Sequence, residues 1–343
     1  MGTYASWEKV SENKMPSHHM FGVHGLIKEY KKNGKECSAI TIDGDTVDFY
    51  LIRNYRHFPK RINQLLNYIL LYFKSFSYDC IYDTLNQCTK VFSIFRKYHL
   101  IKAKIVGVIH HPPFDLEVKH GKADAYIFFG KQFYDYACTL NSKLRDRFYI
   151  NEWWPDKDWY ERNASETDTD KYSFYIDNGK TKRDHDMVIN ACVKNQITCM
   201  MPGAEENSTQ FIKYYKMNLK DDIGMAKRLR HISAILIPIK NQKTGGGPMG
   251  PYGITSFMDA IALRLPVICS DNCCFAHYVK NFELGITYRT GNEESLSDAI
   301  KRLYLDKSFY EKCVHNMYEF AIGKDAFQYS TNLRNILNEI KKK

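Results

Sequence analysis

The stretch from Thr244 to Asn272, TGGGPMGPYGITSFMDAIALRLPVICSDN, restricts what this chain can fold into more than any other segment. Three consecutive glycines and a Pro/Gly-broken loop lead into an apolar helical run over Ile254 to Leu263. Pro266 then opens a short buried-strand pattern, Val267 to Ser270, followed by Asp271 and Asn272. Loop, helix and buried strand in that order are the parts of a parallel α/β sheet. Glycines leave backbone N–H groups unshielded, and a helix start adds unpaired N–H groups at the positive end of its dipole. Gly247, Gly253, Ile254, Thr255 and Ser256 therefore suit a bound diphosphate. Asp259 falls one turn further in, within reach of a ribose or sugar hydroxyl. The same residues also fit a loop, a core helix and a strand without any ligand.

Two segments carry a resemblance. From Asp259 the chain runs Asp259, Ala260, Ile261, Ala262, Leu263, Arg264, Leu265, Pro266, Val267, Ile268. This resembles the donor-binding signature of the large retaining family of GT-B glycosyltransferases, which reads Gly-rich loop, helix start, Glu-Ala-Met-Ala, a small residue, x-Pro-Val-Ile and a polar turn. Asp259 stands where that family has Glu, and Pro251 stands eight residues earlier where it has a partner carboxylate. The second domain of the family opens with a strand, Gly-Arg, a short loop, a later basic residue and a helix. Here Tyr172 to Ile176 is the strand, Lys180 takes the Arg place and Arg183 the later basic place, across a shorter loop. The resemblance implies that Lys180 and Arg183 neutralise charge developing on a departing diphosphate. Read alone, residues 177–184 are equally a solvated charge run.

The chain has 343 residues, enough for two domains with cores of their own. Apolar residues at 44% and charged residues at 26% are globular values, not those of a disordered chain. A net charge of +10 favours anionic partners without choosing among nucleotide diphosphates, phospholipid and nucleic acid. Ten cysteines without a Cys-x-x-Cys pair indicate neither a zinc site nor a disulfide framework, and reduced thiols in a cytosolic compartment are the simplest reading. The apolar stretch Leu65 to Phe73 is too short to span a membrane.

In chain order, Pro16 and Ser17 with the run His18 to Lys32 predict a capped helix, and Glu36 to Ile42 a strand. A first strand ahead of that helix is hard to find: either Tyr4 to Trp7 is a stunted version or the chain begins late. Arg53 to Phe76 joins Arg53, Arg56, Lys60 and Arg61 to the stripe Leu65, Leu66, Ile69, Leu70 and Phe73. It reads as a core helix with a basic lead-in or as a surface helix seated on anionic lipid, and both readings stand. Tyr78 to Leu85 and Lys104 to Ile109 predict buried strands. The second runs into His110 and His111, placed where open α/β sheets collect ligands, at a strand's carboxyl end. Ala123 to Phe129 predicts a further strand, and the polar run Glu161 to Asp170 a domain linker near residue 165. Beyond it the pattern predicts strands at Ile197 to Met201 and Ala234 to Ile239, and helices at Phe211 to Met217, Ala226 to His231 and Asn292 to Leu305, with a last helix from about Asp306.

Alternating strands and helices give an α/β chain with parallel sheets. The resemblance implies the GT-B fold: two Rossmann-like domains facing an interdomain cleft, residues 1–165 for the acceptor and 166–343 for the nucleotide-sugar, with the last helix free to pack back on the first. The implied function is transfer of a sugar from a nucleotide-sugar donor to a glycan or polyprenyl-linked acceptor, with retention of configuration, no metal, no cofactor and no nucleic acid partner. His110 or His111 would then touch the donor sugar. A catalytically silent partner subunit and a nucleotide-sugar epimerase are the alternatives. The expected location is cytoplasmic, with peripheral contact on the inner face of the cell membrane.

Overall fold

The computed structural model describes residues 4–33, 36–48, 58–84, 86, 88–109, 118, 121–164, 172–176, 182–216, 221–241 and 250–343. It divides into two compact units, Met1–Trp154 with Ala326–Lys343, and Pro155–Asp325.

In the first unit α1 (Tyr4–Ser11) precedes an antiparallel sheet of β1 (Ile27–Asn33), β2 (Glu36–Thr41) and β3 (Thr46–Asp48). There follow α2 (Lys60–Ser75), β4 (Cys80–Asp83), α3 (Thr89–Lys97), β5 (Lys104–Ile109), β6 (Ala125–Phe128), α4 (Lys131–Leu140) and β7 (Phe148–Ile150). Strands β4 to β7 pair in sequence order, all parallel. A parallel sheet is covered on both faces, which is why β5 and β6 read as unbroken apolar runs. Val106, Ala125 and Ile127 pack with Leu333, Ile336 and Ile340 of the C-terminal helix Ala326–Lys342.

Three expectations for this unit are corrected. Tyr4 to Trp7 is helical, not a stunted strand, and the helical spacing puts Trp7 and Val10 together against Met20. The helix expected over His18 to Lys32 is two short 3-10 turns, Ser17–Met20 and His24–Leu26, followed by β1. Phe21 and Gly22 take left-handed backbone angles (φ 49 and 83), which end a right-handed helix. A Cβ on Gly22 would lie 2.8 Å from the Tyr329 ring, so close approach of the C-terminal helix requires glycine there. The core reading of the α2 stripe also fails, because Leu65, Ile69, Leu70 and Phe73 are exposed while Asn63 and Asn67 are buried.

His18 is buried beside Trp153, whose Nε1–H donates to the His18 carbonyl at 2.9 Å. Burial pushes the His18 ring well below its usual pKa, with the neighbouring His19 adding to the effect. The unfolded chain takes up a proton near pH 6.5 that the folded ring refuses, so this contribution to stability is present above about pH 6.5 and is lost as the pH falls. The melting temperature followed by near-ultraviolet tryptophan signals should therefore drop between about pH 7 and pH 5, and His18→Gln should flatten that drop. An equal drop in the variant would assign the acid sensitivity to other groups.

The second unit runs α5 (Lys157–Asn163), β8 (Tyr172–Ile176), α6 (His185–Lys194), β9 (Cys199–Pro202), β10 (Ile212–Tyr215), α7 (Asp222–Leu229), β11 (Ile232–Ile237), α8 (Ile254–Leu263), β12 (Val267–Ser270), α9 (Ala276–Asn281), β13 (Gly285–Tyr288), α10 (Glu293–Leu305) and α11 (Lys307–Ala321). Its strands form one parallel sheet in the order β10-β9-β8-β11-β12-β13. Counted within the unit this is 3-2-1-4-5-6, the doubly wound order, whose direction of winding reverses between β8 and β11. Phe174, Ile176, Val188, Leu236, Ile268, Leu296 and Ile300 form its core. The segment Phe211 to Met217 contains a strand, not the expected helix. Ile212 and Tyr215 are buried, and pairing of Ile212 to Tyr215 with Cys199 to Pro202 supplies a ladder that overrides local propensity. Asn292 caps α10 by accepting from the Ser295 N–H at 2.7 Å, and Asp306 caps α11 by accepting from the Phe309 N–H at 2.9 Å. Each bond satisfies an amide that the helix itself leaves open.

Candidate functional site

In a doubly wound sheet ligands collect at the carboxyl ends of the strands, at the point where the order reverses. Here that point lies between β8 and β11, and two pieces of chain meet there. Residues 182–184, arriving after β8, run beside residues 238–240, leaving β11. Arg183 bridges Ile239, the Asp184 N–H donates to the Pro238 carbonyl at 2.9 Å, and the Lys240 N–H donates to the Lys182 carbonyl at 2.8 Å. Lys182 makes the turn with φ 63. Arg183, half-buried, thus stands over the sheet's carboxyl edge, immediately ahead of α6.

Helix α8 begins at the same edge. Gly253 is its N-cap at φ 82, and a Cβ there would lie 2.5 Å from Cγ2 of Ile237, the last residue of β11. Only glycine permits both the left-handed angle and that approach. A helix start leaves first-turn N–H groups without intrahelical partners; in α8 that turn is Ile254, whose N–H donates to the Pro251 carbonyl at 3.3 Å, then the exposed Thr255 and the buried Ser256. The structure therefore brings Arg183, Gly253, Ile254, Thr255 and Ser256 to one edge of one sheet. Lys180, His110, His111 and Gly247 lie outside the described residues.

Asp259 is held from a direction the sequence did not disclose. The buried Tyr160 of α5 donates its hydroxyl hydrogen bond to Asp259 Oδ1. Burial, then the Asp259 carboxylate, push the Tyr160 pKa well up, so the phenol stays protonated and remains a donor. Tyr160 follows Trp159 within α5, and that aromatic pair is the sequence signal of its place.

A second residue missed in the sequence is Ser270, which ends β12. Its hydroxyl accepts from the Ile239 N–H at 3.0 Å and donates to Asn272 Oδ1 at 2.8 Å, while Asn272 Nδ2 donates to the Lys240 carbonyl at 3.4 Å. These bonds fix the backbone that leaves β11 toward the glycine-rich loop. A polar residue closing an otherwise apolar strand was the available signal. Among the described residues, no group of three or more His, Cys, Asp or Glu could hold a metal ion, and no helix is long and apolar enough to cross a membrane.

Residues 157–320 match the family described as Glycosyl transferases group 1. No curated protein sequence matches the chain. Among solved structures, HepE of Anabaena in complex with UDP is similar at 12% identity and TM-score 0.64, over 82% of this chain and 84% of that one. A glycosyltransferase from Rickettsia africae is similar at 14% identity and TM-score 0.60, over 84% and 83%. The trehalose-6-phosphate synthase OtsA is similar at 10% identity and TM-score 0.64, over 96% and 95%. At such identities the likeness speaks for the fold, and the family match spans nearly all of the second unit. Residues 157–320 thus carry the glycosyl transferases group 1 match, and the chain is a transferase enzyme of the GT-B fold.

Proposed function

We propose that the chain moves a sugar from a nucleotide-sugar donor to a glycan or polyprenyl-linked glycan, with retention of anomeric configuration and without a metal. The donor diphosphate lies at the carboxyl ends of β8 and β11. Arg183 and Lys180 neutralise the charge that builds on the departing phosphate, and the first turn of α8 supplies amide hydrogen bonds to it. The observation that carries this reading is the backbone pairing of Arg183 with Ile239 at the reversal point of the sheet, within the segment that matches the family. UDP in the HepE structure supports a nucleoside diphosphate as the common part of the donor. The first unit takes the acceptor, and the enzyme works at the inner face of the cell membrane.

Asp259 binds a donor hydroxyl with the carboxylate that Tyr160 orients. Asp259→Asn should weaken donor binding by about 1 to 2 kcal/mol, and Tyr160→Phe by about 1 kcal/mol, since a hydrogen bond to a charged group is removed or left without its support. Titration calorimetry with the preferred nucleotide-sugar measures both. Unchanged affinity in the Asn variant would mean that Asp259 serves packing of α5 on α8 alone. The activity itself is tested by donor hydrolysis without acceptor. Slow release of nucleoside diphosphate and free sugar is expected; a rearranged sugar would indicate an epimerase, and no turnover with any donor a silent subunit.

A further inference from the structure

Helix α2 is built inside out. Along its length Ile62, Leu65, Ile69, Phe73 and Phe76 recur at helical spacing on one face, and they are 42%, 57%, 44%, 66% and 57% exposed. The opposite face buries Asn63, Asn67 and Ser75. Those polar groups are satisfied by main chain: Asn63 Nδ2 donates to the Phe58 carbonyl at 2.8 Å, Asn67 Nδ2 to the Asn63 carbonyl at 2.7 Å and Ser75 Oγ to the Tyr72 carbonyl at 2.6 Å. The inward polar side chains are thus satisfied within the segment itself, which lets this face be buried while the apolar stripe is exposed. The helix has 16 residues. At the usual rise per residue it presents the stripe over roughly 24 Å.

The end of α3 extends the same surface. Tyr72 lies edge-on to Phe73, Phe76 and Phe95, and its hydroxyl donates to the Leu100 carbonyl at 3.4 Å, which joins the two helices. Ile94, Tyr98 and Leu100 are exposed there. Along the two segments that build this surface the charges have one sign. No Asp or Glu occurs between Asp48 and Asp79, nor between Asp83 and Asp115, while the two intervals carry Arg53, Arg56, Lys60, Arg61 and Lys74, then Lys90, Arg96, Lys97, Lys102 and Lys104. Arg96 and Lys104 pair with Asp124, at 3.4 and 3.7 Å, and Arg61, Lys90, Lys97 and Lys102 are exposed. Of the basic lead-in to α2, Arg53 and Arg56 lie outside the described residues.

We propose that the outer face of α2, continued by Ile94, Tyr98 and Leu100 of α3 and its end, is the surface by which this protein seats on an anionic lipid bilayer. Aliphatic and aromatic side chains enter the headgroup boundary while arginine and lysine beside them meet lipid phosphate, a combination that neither a neutral membrane nor a purely electrostatic partner satisfies. A second copy of the chain is the poorer occupant, because the face would then set like charges against like charges. The proposal stands apart from the donor site, which lies in the other unit, so each fails alone.

The test is sedimentation of the full chain with vesicles of phosphatidylcholine, with and without phosphatidylglycerol. Binding is expected only to the anionic vesicles, and it should fade as salt shortens the range of attraction. Arg61→Gln with Lys97→Gln and Lys102→Gln should lower partition on the order of a hundredfold at low salt, roughly fivefold per charge. Leu65→Ser with Phe73→Ser should abolish what remains at higher salt. All five are exposed, so melting temperature and donor hydrolysis should stay those of the parent chain. No binding to anionic vesicles, binding insensitive to both sets of substitutions, or a dimer that Leu65→Ser with Phe73→Ser dissociates without any vesicle binding would each overturn the proposal.

Discussion

Arg183→Ala is expected to lower kcat/KM for the preferred donor by about 2 to 4 kcal/mol, roughly thirtyfold to a thousandfold, while leaving the fold intact. The two halves of that expectation have separate grounds. Removing one preorganised charge from beside a developing anion costs transition-state stabilisation that water does not restore. Residue 183 bridges Ile239 through main chain, and its neighbours Lys182 and Asp184 bond to residues 240 and 238 through backbone groups, all of which alanine keeps. Arg183→Lys should recover only part of the loss, since an ammonium keeps the charge but not the planar, bidentate fork. Steady-state kinetics with a melting curve for each variant checks both halves. Wild-type turnover in the alanine variant would remove Arg183 from the diphosphate.

Gly253→Val is expected to cost the second unit about 2 to 4 kcal/mol, strain and overpacking together, and to weaken the donor as well. Gly253 holds a left-handed angle, φ 82. That angle costs a side-chain-bearing residue on the order of 1 to 2 kcal/mol, and β-branching makes it worse. The clash adds to this, because the new Cβ would sit 2.5 Å from Ile237 Cγ2 and 3.4 Å from the Phe275 ring. Either α8 retreats from β11 or Ile237 shifts, and both displace the first-turn amides. Gly253→Ala meets the same contact with less bulk and should fall between. Urea midpoints of the three proteins should rank glycine, alanine, valine; equal midpoints would show that the start of α8 is not held where it stands.

The parts of this fold that the sequence disclosed are those whose determinants are local. Lys104 to Ile109 and Tyr172 to Ile176 are apolar runs fully inside a parallel sheet, and they are β5 and β8 with the expected ends. The helix Ile254 to Leu263 is bounded by Gly253 at one end and by Arg264 in a left-handed turn before Pro266 at the other. The parts that stayed hidden depend on residues far along the chain. Residue 22 is glycine where Tyr329 packs against it, and residues 212–215 are extended because Cys199 to Pro202 pair with them. The bond from Tyr160 to Asp259 joins positions 99 apart, and no spacing rule reaches that far. In α2 the hydrophobic period gave the helix correctly but not which face is inward, since buried Asn63 and Asn67 bond to main chain within their own segment.

Hydrogen exchange on the full chain, with and without the nucleoside diphosphate that raises its melting temperature most, tests the central claim most directly. A ligand seated against the backbone slows exchange of the amides it covers, and stabilises the folded unit by an amount that grows with its concentration over Kd. Protection is expected at residues 182–184 and 239–241 and over the first turn of α8, Ile254 to Phe257, and Arg183→Ala should reduce it at all three. Protection confined to other segments, with these amides exchanging as in the free protein, would contradict a donor site at the carboxyl ends of β8 and β11.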